Sequence, residues 1–162
     1  MAYSPAAERG GAAPPLPREQ FLEVVARAPL VSIDLVVRDG AGHVLLGLRR
    51  NAPARGFWFV PGGVIRKNET FDAAYRRITR NELGLELPRA ESRLLGAYEH
   101  FYAENADDRP GFGTHYVVLA HALTVERLPA LPPEQHSVYR WLSPAEILET
   151  ADVHDNTKAY FR

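Results

Sequence analysis

Cysteine is missing from all 162 residues. That excludes a disulfide scaffold, a thiolate metal centre and a cysteine nucleophile. Net charge is nearly missing too: 19 Lys and Arg against 20 Asp and Glu leave −1. Bulk charge therefore gives the chain no means of coating nucleic acid or an acidic membrane. No apolar run approaches the roughly 20 residues of a membrane helix. The N-terminal stretch MAYSPAAERGG also lacks the apolar core of a secretion signal. The expectation is a cytoplasmic protein that acts on a small molecule, with no nucleic-acid or membrane partner. What is present is 46% apolar and 24% charged residues, the profile of one folded domain.

Residues 1–17, rich in Ala, Pro and Gly, have almost nothing to bury and are expected to form a flexible tail. Residues 18–162 then form a single domain. Phe21, Leu22, Val24 and Val25 follow a helical rhythm that Ala28-Pro29 ends. The alternating run LVSIDLVV from Leu30 is a strand, and the turn at Asp39–Gly42 leads to a partner, HVLLGLRR. A short aromatic strand, Phe57–Val60, is stopped by Pro61-Gly62-Gly63. Thr70 caps a helix that runs to about Leu83, with Gly84 past its end. Long strands are expected over Leu94–Tyr102 and Thr114–Val125, separated by the polar loop AENADDRPGFG. Ser137–Leu142 is a further strand. Ser143-Pro144 opens a helix, and a last short helix spans Val153–Phe161. The fold class that follows is α/β, a mixed sheet sandwiched between helices.

The most informative stretch begins at Gly63: G-x5-E-x7-R-I-T-R-N-E-L-G-L, with Glu69, Arg77, Glu82 and Gly84 at fixed intervals. It resembles the Nudix box, G-x5-E-x7-R-E-U-x-E-E-x-G-U, where U is bulky and apolar. That box holds divalent metal against a diphosphate. Ile78, Thr79 and Asn81 depart from the pattern, and of the three clustered glutamates only Glu82 stands. Positions 78 and 82 share a helix face, so the usual carboxylate cluster shrinks to one. One carboxylate helps to hold a single ion, and the base must come from elsewhere.

The GDP-mannose mannosyl hydrolases share this defect. The resemblance extends from Phe21 to Phe161 through PLVSID, LLGLR, GFWFVPGG, HFY, THYVVL, EQH and YRWL. It implies a Nudix fold and hydrolysis of GDP-mannose, or of GDP-glucose, by water attack at the anomeric carbon with inversion. The products are GDP and free sugar. It also implies a homodimer and one Mg²⁺ per site, replaceable by Mn²⁺. The metal would be held by the Gly62 carbonyl, Glu82 and Gln135, all oxygen donors, as a hard ion prefers. His136, in the polar loop LPPEQHSVY, would be the general base, with an ordinary pKa near 6.5.

By the same resemblance Asp34 lies near the sugar. A carboxylate in an apolar strand needs a partner if it is buried. Arg49 and Tyr116 would neutralise the leaving GDP, and His100 would lie near the sugar. Arg77 would serve the diphosphate or orient carboxylates. Phe21 either stacks on guanine or packs from an amphipathic helix. Val64 stands where the subfamily has an arginine. Either Arg66 or Lys67 reaches in instead, or the leaving group has one positive charge fewer.

Among the remaining candidates, Phe57, Trp58 and Phe59 are expected in a core or interface. His115 and His121 alternate with apolar neighbours and are as readily structural as functional. His43 and His154 carry no functional signal. Two other readings stay open: P–O–P cleavage of a nucleotide sugar, and an inactive domain that only binds one.

Overall fold

The computed structural model describes residues 13–129, 131 and 138–162, together with the strand position of residues 136 and 137. The elements follow in the order α1 (Arg18–Arg27), β1 (Leu30–Arg38), β2 (Val44–Arg49), β3 (Trp58–Phe59), β4 (Gly62–Val64) and α2 (Phe71–Leu83). Then come β5 (Arg93–Tyr102), β6 (Thr114–Thr124), β7 (His136–Leu142), α3 (Pro144–Glu149) and α4 (Asp155–Lys158). Three-residue 3-10 turns sit at Arg89–Glu91 and Ala159–Phe161. Among the described residues no helix is long and apolar enough to cross a membrane.

Local chemistry sets the helix ends. The Thr70 hydroxyl accepts from Ala73 N at 3.2 Å, and Gly84 takes the left-handed conformation at φ 69° that ends α2. Ser143 and Glu146 form a reciprocal capping box at the start of α3. Ala28, extended before Pro29, closes α1.

The strands form one mixed sheet in the order β3-β2-β1-β6-β5, with β4 added to β1 and β7 to β2. The β1–β6 pair is parallel and the others are antiparallel. Side chains alternate across β1. Ile33, Leu35 and Val37 pack with Tyr75, Ile78 and Leu83 against α2. Val36 joins Leu46, Trp58, Ala120, Ile147, Val153 and Tyr160 in a second core on the opposite face. Asp34 is in phase with Val36, so it points to the side covered by α3 and the C-terminal segment.

Several elements differ from the sequence expectation. Pro61-Gly62-Gly63 does not simply stop a strand: residues 62–64 form β4, with Ser32↔Val64 and Asp34↔Gly62 in register. The glycine that suggests a stop is what lets the backbones approach. A Cβ on Gly62 would lie 2.5 Å from Asp34 Oδ1 and 2.7 Å from Ile33 O. His136 is the first residue of β7 rather than a loop residue, with Arg49 as its partner on β2. The final helix is a single turn followed by a 3-10 turn. Of the expected tail, residues 1–12 lie outside the described residues. Ala13 N donates to Lys67 O at 3.0 Å, and Pro14, Pro15 and Leu16 line a cavity beside α2.

The 103–113 loop is organised by one residue. Asn105 is fully buried; its Nδ2 donates to Arg109 O at 2.7 Å and to Phe112 O at 2.9 Å. Its Oδ1 accepts from Asp107 N and Arg109 N. Ion pairs Arg18–Asp107 and Arg109–Glu19 tie the loop to α1.

Candidate functional site

Two cavities meet at β4. The first, about 270 Å³, opens on the α3 side of the sheet and is lined by Ser32, Asp34, Arg49, Phe59, Gly62, His100, Tyr102 and Tyr116 among others. Strand register assembles it. His100 on β5 pairs with Tyr116 on β6, which lies beside Leu30 on β1, and Asp34 pairs with Gly62. Arg49 ends β2, with its guanidinium 5.2 Å from the centre of the Phe59 ring. The Phe59 ring in turn stacks on His154 at 4.6 Å. Arg49 contributes the positive charge among these residues, and Asp34 the negative.

Asp34 has the partner that a carboxylate in an apolar strand demands. Tyr160 Oη donates to its Oδ2 at 2.6 Å. Burial raises the Asp34 pKa to about 6, against the opposing pull of the Tyr160 hydrogen bond and the Arg49 charge. His100 is buried and neutral, its pKa lowered to about 4 by burial and by His154. Burial lifts Tyr102 to about 12 and also raises Tyr116. Both phenols therefore keep their protons at neutral pH and can donate.

The second cavity, about 1000 Å³, lies on the α2 side, bounded by Phe21, Val24, Ile65, Arg66, Arg77 and Glu82 among others. Gly63 and Val64 border both cavities, so β4 is the ridge between them. Here the box residues show their roles. Arg77 donates through Nε to Glu69 Oε1 at 2.7 Å and through its Nη2 to Glu69 Oε2 and Val64 O, each at 2.8 Å. Glu69 also accepts from Arg66 N at 2.9 Å. The Arg77 guanidinium thus braces the loop between β4 and α2. Burial works against the Glu69 carboxylate, and the bonds from Arg77 and Arg66 outweigh it, holding its pKa below the usual range.

Whether these residues suit a divalent ion can be tested on the backbone. Leu35 N donates to Pro61 O, and Ile65 N to Val31 O. By the antiparallel alternation, Gly62 and Val64 then turn their N–H and C=O groups away from β1. Val64 O, on that side, meets Arg77 of α2. The Gly62 carbonyl faces the same way, outside the ladder. Ile78 packs so close to Gly63 that a Cβ there would lie 3.1 Å from Ile78 Cγ1. Glu82, one turn further along α2, is buried at 4% exposure. Among the described residues no three His, Asp or Glu side chains cluster as a ready-made cage. The candidate donors, the Glu82 carboxylate and the Gly62 carbonyl, border neighbouring cavities on either side of the β4 ridge. That oxygen set suits an ion that takes its other ligands from water and substrate phosphate.

The structure thus brings Asp34, Arg49, His100, Tyr116 and Gly62 to one cavity and Glu82, Arg77, Arg66 and Phe21 to its neighbour. His136 stands in register with Arg49, and Gln135 lies outside the described residues. Sequence reasoning missed Tyr102 and Phe59 as lining of the first cavity and Tyr160 as the partner behind Asp34. The isolated strand carboxylate signalled that some partner exists, and nothing in KAYF identified which residue. His154, without a functional signal in the sequence, caps α4 and backs Phe59.

Comparison with known proteins agrees with this layout. Residues 28–162 match the NUDIX domain model. The chain is 43% identical over 130 residues to the low-salt glycan biosynthesis protein Agl8 of Haloferax volcanii, covering 80% of each. Among solved structures, it is similar to a MutT NUDIX hydrolase from Burkholderia pseudomallei, with TM-score 0.66 and 23% identity over 83% of this chain and 97% of that one. It is also similar to the NUDIX domain of Shewanella oneidensis NrtR, solved with ADP ribose, with TM-score 0.60 and 19% identity over 90% and 95% of the two chains. With the box loop, its bracing arginine and the sheet between two helical layers in place, the chain belongs to the NUDIX domain family and is a hydrolase by that membership.

Proposed function

We propose that this protein hydrolyses a nucleoside-diphosphate sugar, GDP-mannose or GDP-glucose, at the anomeric carbon, releasing GDP and the inverted free sugar. The observation that carries this reading is the inner face of α2. Its buried residues are Ala74, Tyr75, Ile78, Thr79, Glu82 and Leu83, so it offers a single carboxylate. Activation of water for attack at phosphorus by a carboxylate cluster has no second member there. The name of the relative Agl8 links it to glycan biosynthesis, which supports a sugar-bearing substrate.

In this reading Glu82, the Gly62 carbonyl and Gln135 would hold a Mg²⁺ ion, which when bound supplies positive charge to the departing diphosphate. A diphosphate so neutralised needs no proton donor on its oxygen. Arg49 adds a second positive charge beside it, with Tyr116 donating a hydrogen bond. His136, across from Arg49, accepts the proton of the attacking water at neutral pH, a role worth about 10²–10⁴-fold. Asp34 and His100 bind the sugar end. Arg66 and Lys67, bordering the α2 cavity, provide cationic groups near Val64.

Hydrolysis in ¹⁸O-labelled water tests the reading. The label is expected in the sugar, with unlabelled GDP. Label in phosphate, with sugar phosphate released, would establish attack at phosphorus and overturn it. His136→Ala is expected to lower kcat at least a hundredfold while Mg²⁺-dependent GDP affinity stays within twofold.

A further inference from the structure

The C-terminal 3-10 turn carries a side chain that this reaction scheme does not use. Tyr160 lies at the meeting point of three elements far apart in sequence. Its Oη is 2.6 Å from Asp34 Oδ2 and 3.3 Å from His100 Nε2. Its ring meets Tyr98 edge-on at 4.8 Å and lies 6.0 Å from the His100 ring. It is 9% exposed and lies behind the two residues that border the cavity.

Counting protons orders this chain of contacts. The phenol has one proton, and burial beside Asp34 pushes its pKa upward, so the proton stays. The carboxylate can only accept, so the phenolic proton goes to Asp34. The phenolic oxygen must then accept from His100, which requires the tautomer with hydrogen on Nε2. The order is His100 Nε2–H to Tyr160 O–H to Asp34 Oδ2. What remains uncommitted within this chain is a pair of acceptors, Asp34 Oδ1 and His100 Nδ1.

We propose that Tyr160 is a positioning residue: its hydroxyl fixes the rotamer of Asp34 and the tautomer of His100, so that the first cavity meets a ligand with acceptors suited to sugar hydroxyl groups. The proposal rests on the sugar-nucleotide reading for the identity of that ligand, and on the two contacts together with the phenol's single proton for the hydrogen-bond order.

The experiment uses the full chain and Tyr160→Phe, which keeps the ring and removes the hydroxyl. Nitrogen NMR of ¹⁵N-histidine-labelled protein, with the His100 signals assigned by their loss in His100→Gln, reads the tautomer without turnover. The wild type is expected to show Nε2 protonated and Nδ1 with a free lone pair, and Tyr160→Phe to lose that single-tautomer pattern. Protonated Nδ1 in the wild type, or an unchanged pattern in the variant, would overturn the proposal. Should Tyr160→Phe fail to fold, the wild-type tautomer still decides the order.

With GDP-mannose, Tyr160→Phe is expected to lower kcat/KM by about 10–100-fold, the size of one hydrogen bond to a charged group, and to leave inhibition by GDP within twofold. In an Asp34→Asn background the same substitution is expected to change kcat/KM less than twofold, because its partner is already altered. Equal, multiplying losses in both backgrounds would make Tyr160 merely structural. A wild type that turns over no nucleotide sugar defeats the functional reading instead, and the tautomer measurement stands apart from it.

Discussion

Residue by residue, the Nudix box divides into a brace, Arg77 with Glu69, and a separate buried carboxylate, Glu82. Glu69 has a side-chain exposure of 2% and depends on Arg77 for its counter-charge. Replacing Arg77 by Gln leaves that carboxylate buried with one backbone donor, so stability is expected to fall by about 3 kcal/mol. Urea denaturation measures this; a loss below about 1 kcal/mol, the scale of an exposed pair, would show that the brace is dispensable. The positions of this pair were legible in the sequence, through the spacing from Gly63 to Glu69 to Arg77, but their pairing was not, since Arg77 could equally serve a diphosphate or orient carboxylates. The Tyr160–Asp34 contact was not, since 126 positions separate the two residues and no periodicity spans such a gap. Arg77 illustrates the difference between finding a residue and finding what it does. The motif marks the position, and only the bonds to Glu69 and Val64 O show what occupies its guanidinium.

At the scale of elements, β4 is the piece that sequence patterns conceal. Strand propensity disfavours glycine, yet here a close approach of two backbones requires it. Gly62→Ala is expected to collide with the Ile33 carbonyl and the Asp34 side chain, displacing β4 and costing more than about 2 kcal/mol. Gly63→Ala meets only the side chain of Ile78, at 3.1 Å, and is expected to cost less. Paired thermal melts of the two variants check the order. The bounds of α2 and the start of α3, by contrast, were readable to within a residue or two, since Thr70, Gly84 and Ser143-Pro144 are physical stops and starts rather than statistical ones; the last helix, without such signals, was read too long. The 103–113 loop was unreadable for the opposite reason. Its order comes from one buried asparagine whose partners are backbone groups, and a polar composition looks the same whether or not such a knot is tied.

Across the whole molecule, histidines that burial keeps neutral weaken the fold in acid. His100, His121 and His154 all have pKa values lowered primarily by burial. Above pH 6.5 each is neutral whether folded or unfolded, and none opposes folding. As pH falls below that, the unfolded chain takes up protons that the folded one refuses, so stability declines. For His100 the decline runs from the ordinary 6.5 down to about 4 and amounts to about 3 kcal/mol at most. Asp34 pulls the other way, because its raised pKa of about 6 lets the folded chain hold a proton that the unfolded one has released. The histidine contribution is therefore expected as the excess fall of the wild-type urea midpoint over that of His100→Gln from pH 7.5 to 4.5. Parallel profiles for wild type and variant would show that the His100 side chain remains hydrated.

The ridge formed by Gly63 and Val64 has an implication for how such a protein diversifies. A ligand lying across it touches one chamber bordered by the helix after the box and another whose Asp34 is held from behind by the last turn of the chain. Those two stretches are separated by most of the sheet and share no side chain. Changes in that turn can therefore retune the Asp34 end of a ligand while leaving the Arg77–Glu69 brace beyond the ridge untouched. Libraries confined to residues 158–162, which spare the His154 ring behind Phe59 and Arg49, are expected to shift sugar preference while retaining GDP inhibition, and a parallel loss of both would show the two chambers to be one unit.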